Sequence, residues 1–305
     1  MATKVFYSNG KLLLTGEYLV LDGAKAFAVP THKGQYLTVK PNTTSKLTWR
    51  SFDVCNHVWY EDEFELNALH KVQPENPISK KLLNILLAAQ RLNPYFLRDS
   101  KGVCVTTKLT FSREFGLGSS STLIANIAKW AKIDAYQLLW NSFKGSGYDL
   151  ACATKNSALV YQLINTQANI TPVEFNPVFK EQVYFVYLNK KQDSKEGILH
   201  YRGLSSVKKS NAIQQVNVLT EAVLKSKSLE EFELLLSEHE ALLSDVLELS
   251  TVKSRLFSDY HGLVKSLGAW GGDFVLVTVK DSSDLNYFKE RGYTTIFSFD
   301  EMLLS

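Results

Sequence analysis

Gly116-Leu117-Gly118-Ser119-Ser120-Ser121 follows the strand-like run Val103-Cys104-Val105-Thr106-Thr107 and opens a helical run from Ser119 to Ala131. Strand, glycine turn and helix form one connected unit, which aims the free backbone N–H groups of a helix start at solvent. The two glycines let the backbone come close to a ligand, and the three serines offer hydroxyls to phosphate oxygens or to Mg²⁺. This is not a Walker A loop: the chain holds no G-x-x-x-x-G-K-[ST], and the turn has no lysine to reach terminal phosphates. Read alone, the string is equally a plain helix start capped by serine. It needs partners elsewhere in the chain.

Three segments are candidates for that part. Upstream, Gly10-Lys11 heads the apolar run Leu12-Leu13-Leu14, followed by Thr15-Gly16-Glu17-Tyr18. A cation at the head of a buried strand is a candidate site residue, set against the common alternative of a lysine snorkelling along a core edge. Downstream, Gly145-Ser146-Gly147-Tyr148-Asp149-Leu150-Ala151-Cys152-Ala153 puts a carboxylate between a flexible turn and small apolar residues. Partly desolvated, Asp149 would seek a cation; the competing reading makes it the N-cap of a helix starting near Leu150. Finally, Gly268-Ala269-Trp270-Gly271-Gly272-Asp273 precedes the apolar run Phe274-Val275-Leu276-Val277. A helix-to-strand turn needs one C-cap glycine, so three point to close backbone approach.

The surrounding patterns give an α+β chain. Short apolar or alternating runs at 11–15, 26–29 and 36–39 read as strands, and 77–89 reads as an amphipathic helix with Pro77 near its start. A helix from the N-cap Asp134 to about Phe143 is broken by Lys144-Gly145-Ser146-Gly147. Strands are expected at 158–163, 171–175 and 183–188, helices at 206–224, 228–248 and 252–267, then a strand at 274–279, a helix near 284–291 and a last strand at 294–299. The polar Asn176-Pro177 suggests a lobe boundary, giving lobes 1–177 and 178–305. Lys190, Lys191, Lys195 and Arg202 read as a solvated basic loop, with anion binding as the sharper alternative.

Composition narrows the class. With 305 residues, 45% hydrophobic and 21% charged, the chain can bury a sizeable core and is neither disordered nor fibrous. A formal net charge of +3, with basic residues spread along the chain, argues against nucleic-acid binding. Three cysteines, far apart and without a C-x-x-C pair, fit a reduced, cytoplasmic setting. The N-terminal residues lack a signal-peptide pattern, and no window reaches the apolar length of a membrane span, so a soluble protein is expected.

Taken in order, the four segments resemble those of the GHMP kinase superfamily, which includes galactokinase, homoserine kinase, mevalonate kinase and phosphomevalonate kinase. Asn9 to Tyr18 is similar to P-G-K-x-x-L-x-G-E-[HY], with Asn9 for the proline; Gly116 to Ser121 is similar to G-L-G-S-S-A without the upstream proline. Gly147-Tyr148-Asp149 matches G-[FVY]-D, and Gly268 to Asp273 resembles a shortened third motif. Glu17-Tyr18-Leu19-Val20-Leu21, Gly145 to Ala153 and the ending Gly271-Gly272-Asp273 look closest to phosphomevalonate kinases and to a bacterial subgroup with a G-Y-D-I-A signature. The resemblance implies a two-lobed fold, with a ribosomal protein S5 domain 2-like N-terminal lobe and a ferredoxin-like C-terminal lobe.

It also implies an activity: transfer of the ATP γ-phosphoryl group to a hydroxyl or phosphate of a small anionic metabolite, phosphomevalonate or mevalonate first. Lys11 and Asp149 would be catalytic, and Gly116, Leu117, Gly118, Ser119, Ser120 and Ser121 would bind nucleotide. Ser120 would be linked to Mg²⁺, and Glu17, Tyr18, Gly147, Gly271, Gly272 and Asp273 would face the substrate. Mevalonate kinases carry a metal glutamate before the catalytic aspartate; this chain has Leu138-Leu139-Trp140-Asn141 there, so Glu17 helps or Mg²⁺ is held by ATP and water. A monomer or homodimer, with no nucleic acid or membrane partner, completes the expectation. The alternatives are a non-catalytic ligand sensor of the same fold and a kinase for a sugar or homoserine. A decarboxylase is disfavoured because that related group lacks the lysine found at Lys11.

Overall fold

The computed structural model describes residues 2–98, 101–143, 145–192 and 194–304; Lys144, part of the expected helix break, lies outside them. The elements begin β1 (Lys4–Thr15), β2 (Ala26–Pro41), β3 (Lys46–Phe52), β4 (Val58–Glu65), α1 (Pro77–Leu92), β5 (Val103–Leu109), α2 (Ser119–Ala131), α3 (Ala135–Ser142) and α4 (Tyr148–Thr154). They continue β6 (Leu159–Ile164), β7 (Gln167–Pro172), β8 (Val183–Tyr187), α5 (Ser194–Gly203), α6 (Ser206–Lys225), α7 (Leu229–Leu247) and α8 (Val252–Leu256). The last are β9 (Val264–Ser266), β10 (Phe274–Thr278), α9 (Asn286–Glu290), β11 (Ile296–Ser298) and α10 (Phe299–Met302). The chain is α+β, as its patterns suggested.

It divides into two compact units that interleave in sequence. One is Met1–Gly10, Lys33–Arg113 and Leu117–Thr154; the other is Lys11–His32, Glu114–Gly116 and Lys155–Ser305. The sequence suggests one cut after residue 177; the units instead exchange chain within β1 and β2, at Glu114–Gly116 and after Thr154.

In the first unit the strands run β4-β3-β5-β2, with β3 and β5 parallel and the other pairs antiparallel. A parallel pair requires a crossover, and α1 lies within it, begun by the Asn76 N-cap and Pro77. Leu82, Leu86 and Ala89 of α1 share a core with Leu37, Trp49 and Val105 of the strands and with Ile124 and Ala128 of α2. In the second unit the first residues of β2 pair with β6 and β6 with β7, while β11-β8-β10-β9 form a separate antiparallel sheet. Helices α6 and α7 form an antiparallel hairpin, and Ser228 caps α7 by accepting from the Glu231 N–H at 3.2 Å.

Several expectations require correction. The helix expected over 252–267 ends at Leu256 and is followed by β9, because tertiary pairing overrides the helical spacing: Val264, Lys265 and Ser266 align with Val277, Leu276 and Val275 of β10. A Cβ at Gly262 would lie 2.4 Å from the Thr278 carbonyl oxygen, so the chain enters this pairing through a backbone approach only glycine permits. Strands β3 and β4 were not expected; their polar outer faces, such as Arg50, Glu61 and Glu63, dilute the apolar signal. Lys195 and Arg202 lie on α5 rather than in a loop.

Candidate active site

The first unit holds most of the phosphate-binding candidates. Helix α2 starts at Ser119 after Gly118, whose φ of 86° is the left-handed conformation glycine adopts at little cost. Thr122 is the first residue to bond back, to the Gly118 carbonyl at 3.0 Å, so the Ser119, Ser120 and Ser121 N–H groups have no partner within the helix. No acidic residue occupies the first turn, Ser120 is exposed, and Ser119 and Ser121 are half-buried. The helix is fixed from below. The buried Asn126 side chain donates to the Gln35 carbonyl at 2.9 Å and accepts from Ser8 Oγ at 2.9 Å, while Thr122 Oγ1 donates to Gln35 Oε1 at 2.8 Å. A rigidly mounted helix start with spare donors and no carboxylate suits an anion.

Beside it, α4 begins after Gly147 at φ 92° and packs on α2 through Leu150 and Ala153. Asp149 lies in its first turn rather than at the N-cap, half-buried, while Leu150, Ala151, Cys152 and Ala153 face the interior. The first unit thus brings together the serine turn and Asp149 on adjoining helices. Helix α3 carries no carboxylate along its length. Ser120 at the start of α2 and Asp149 in the first turn of α4 are oxygen donors of the kind Mg²⁺ takes. The one group of potential metal ligands drawn together among the described residues, Asp53, Cys55 and His57, lies in the β3–β4 turn, and its sulfur and nitrogen donors suit a softer ion.

The second unit holds Lys11, Gly116 and the third glycine segment. Phe115 packs against Tyr187, Phe274 and Phe297 at ring separations of 4.9, 5.3 and 6.1 Å, seating Gly116 beside Asp273. A Cβ at Gly116 would lie 2.2 Å from Asp273 Oδ2, and its φ is 65°. Asp273 Oδ1 accepts from the Gln192 N–H at 3.1 Å, and the Asp273 N–H donates to the Lys190 carbonyl at 2.7 Å. Burial pushes the Asp273 carboxyl up, against the Gln192 N–H and the nearby Lys11 and Lys191 charges, which pull it down. Lys11 is buried, with Gly268 close beside its ammonium. Gly272 crowds the chain at 190–192, where a Cβ would stand 2.8 Å from the Lys190 carbonyl oxygen, whereas Gly271 is held to glycine by its φ of 97°. Within the glycine cluster it is Gly272 that permits close backbone approach to the chain at 190–192. Phe115 and Gln192 were not singled out from sequence; an aromatic just before a glycine turn was the available signal for the first.

Glu17, expected at the substrate or metal, is instead fully buried. Lys265 Nζ donates to its Oε1 at 2.6 Å, and its Oε2 lies 3.6 Å from His239 Nε2. The Gly16 N–H donates to His239 Nε2 at 3.0 Å, so the ring is neutral with its proton on Nδ1, and burial lowers its pKa well below the usual value. Thr15 Oγ1 is 2.8 Å from Thr220 Oγ1. The Thr15-Gly16-Glu17 segment is therefore an interior anchor.

It delivers Tyr18 at φ 59°, ψ −45°, a strained pair for a non-glycine residue. Tyr18 stacks on Tyr201 with centroids 5.9 Å apart and fits against Gly197 of α5, where a Cβ would meet its hydroxyl at 2.1 Å. A cavity of about 170 Å³ adjoins it, lined by Gln192, Glu196, His200, Leu247 and Trp270 among others. The buried Trp270 indole N–H has no hydrogen-bond partner among the described residues. Among the described residues, Glu196 is the one acidic side chain lining this cavity.

No protein-family model matches the chain, and no curated protein matches it in sequence. Solved structures do. The mevalonate kinase of Methanococcus jannaschii superposes with a TM-score of 0.72 at 17% identity, over 97% of this chain and 97% of that one. The Streptococcus pneumoniae phosphomevalonate kinase in complex with phosphomevalonate and AMPPNP gives 0.72 at 15% identity, over 97% and 99%. Lactococcus lactis galactokinase complexed with galactose gives 0.72 at 15%, over 99% and 93%. The chain therefore shares the fold of these kinases over 97–99% of its length.

Proposed function

We propose that this protein is an ATP-dependent small-molecule kinase. The observation that carries the reading is the start of α2: three unsatisfied N–H groups, three serines and no carboxylate, beside Asp149 on α4. The N–H groups and serines would hold the phosphate chain of ATP. Asp149 would accept the proton of the acceptor hydroxyl as its oxygen bonds to the γ-phosphorus and the bond to the bridging oxygen breaks, releasing ADP. Lys11 would offset the negative charge of the transferred group. Mg²⁺, where bound, neutralises phosphate charge, with Ser120 and Asp149 as the oxygen donors available to it.

For the acceptor, motif resemblance supports phosphomevalonate or mevalonate. A second reading, a sugar or other polyol, is favoured by the cavity beside Tyr18: Gln192, Glu196 and an unpartnered Trp270 N–H suit hydroxyls better than a phosphate. ATP consumption measured across mevalonate, phosphomevalonate, homoserine and galactose separates these readings. ATP binding with no turnover on any of them would instead favour a sensor, for which the carboxylate-free α3 is the structural argument.

A further inference from the structure

Far from the serine turn, the first unit contains a second concave site. Helix α2 ends at Ala131, about 18 Å from Ser119 at the rise of an α-helix. Likewise β5 reaches the glycine turn from Leu109, whereas Val103 lies about 20 Å away at its other end. A cavity of about 200 Å³ opens between these two distal ends.

Its walls are apolar, formed by Val39, Leu66, Phe96, Val103 and Trp130. Phe96 meets Trp130 edge-on at 4.7 Å, giving the floor a fixed shape. The rim is basic: Lys4, Lys101 and Lys132 line the cavity and are exposed, and among the described residues no Asp or Glu lines it. Among the described residues none of these three ammonium groups has a salt-bridge partner. Three uncompensated like charges around an apolar hollow repel one another, and an anion seated there would relieve that repulsion. Tyr95, 82% exposed at the same rim, adds a large surface with nothing packed over it.

We infer that this cavity binds a small amphipathic anion: an apolar body carrying one carboxylate or phosphate. An apolar cavity of about 150 Å³ accepts benzene, so the space here suits one aromatic ring or a short alkyl chain. The body displaces water from Val39, Leu66 and Trp130, and the acid group meets the lysines. The site is separate from the phosphate-binding turn, so occupancy does not compete with nucleotide.

The test uses the full chain and a matched pair of probes, 3-phenylpropionate and the neutral 3-phenylpropan-1-ol, titrated by calorimetry with and without saturating ATP. One acid per chain is expected, bound at least about tenfold more tightly than the alcohol and with unchanged affinity in ATP. The double variant Lys4→Glu/Lys132→Glu should weaken the acid at least about tenfold while keeping the wild-type melting temperature, because both residues are on the surface. Ser120→Ala should leave the acid's affinity unaltered. The inference is overturned by the absence of saturable acid binding at millimolar concentration, by equal affinity for acid and alcohol, by displacement with ATP, or by an undiminished affinity in the charge-reversed variant.

Discussion

Lys265 Nζ donates a 2.6 Å hydrogen bond to Glu17 Oε1 across 248 positions of sequence, and neither side chain has exposed surface. Glu240 Oε2 lies 3.3 Å from the same ammonium, and Glu240 Oε1 accepts from Ser266 Oγ at 2.7 Å. Two carboxylates thus surround one buried cation. Burial works to lower the Lys265 pKa, but the two carboxylates outweigh it and raise it. Replacing Lys265 with Met strips both carboxylates of their cation and should cost about 3–5 kcal/mol. Urea unfolding of Lys265→Met tests this. Adding Glu17→Gln should recover part of the loss, and a stable single variant would show that the cluster is not what anchors the Glu17 segment.

The same cluster has a pH signature. Burial pushes the Glu17 carboxyl up to about 7, with Lys265 pulling it back. Because that value lies above the ordinary glutamate value, the stability it contributes is full below about pH 4.5 and is lost as pH rises through about 7. His239, buried and neutral, acts oppositely, losing stability as pH falls below its unfolded value, but it is common to wild type and variant. The melting-temperature difference, wild type minus Glu17→Gln, should therefore shrink from pH 5 to pH 8. A difference that grew with pH would reverse the assigned protonation.

Gly116 is held to glycine by two constraints, its φ of 65° and the Asp273 carboxylate. Gly116→Ala incurs the left-handed backbone penalty of about 1–2 kcal/mol and forces Asp273 aside. Lower stability and weaker nucleotide binding are expected, read by thermal shift and by titration with an ATP analogue. Wild-type behaviour in both would mean that the turn tolerates a side chain.

Asp149→Asn keeps the shape of the first turn of α4 and removes the base. Turnover of the accepted substrate should fall by about 10²–10⁴-fold while ATP binding and melting temperature hold. Unchanged kcat would remove Asp149 from the chemistry.

The serine turn, the caps and the long helices were readable because their causes are local. Asp134 accepts from the Gln137 N–H at 2.7 Å, and Ser228 and Asn76 cap their helices within three residues. α2 spans the residues its pattern marked. The G-x-G-S-S string, Lys11 and Asp149 stood out for their residue types alone, and the order of the four segments carried the fold resemblance.

What only the tertiary structure decided lies in long-range pairing. The periodicity of 252–267 is helical, yet Val264 to Ser266 form a strand, since β10 offers backbone partners that local propensity cannot see. Glu17 sits in the same motif as Lys11 and looked like a site residue; desolvation and an ammonium 248 positions away turn it into an interior anchor instead. Likewise Lys4, Lys101 and Lys132 are unremarkable surface lysines in sequence, and become one basic rim only because β1, β5 and α2 end around the same cavity. Capping and periodicity act over a few residues, so sequence carries them; burial and charge pairing are properties of the folded unit, so sequence holds the parts but not which ones meet.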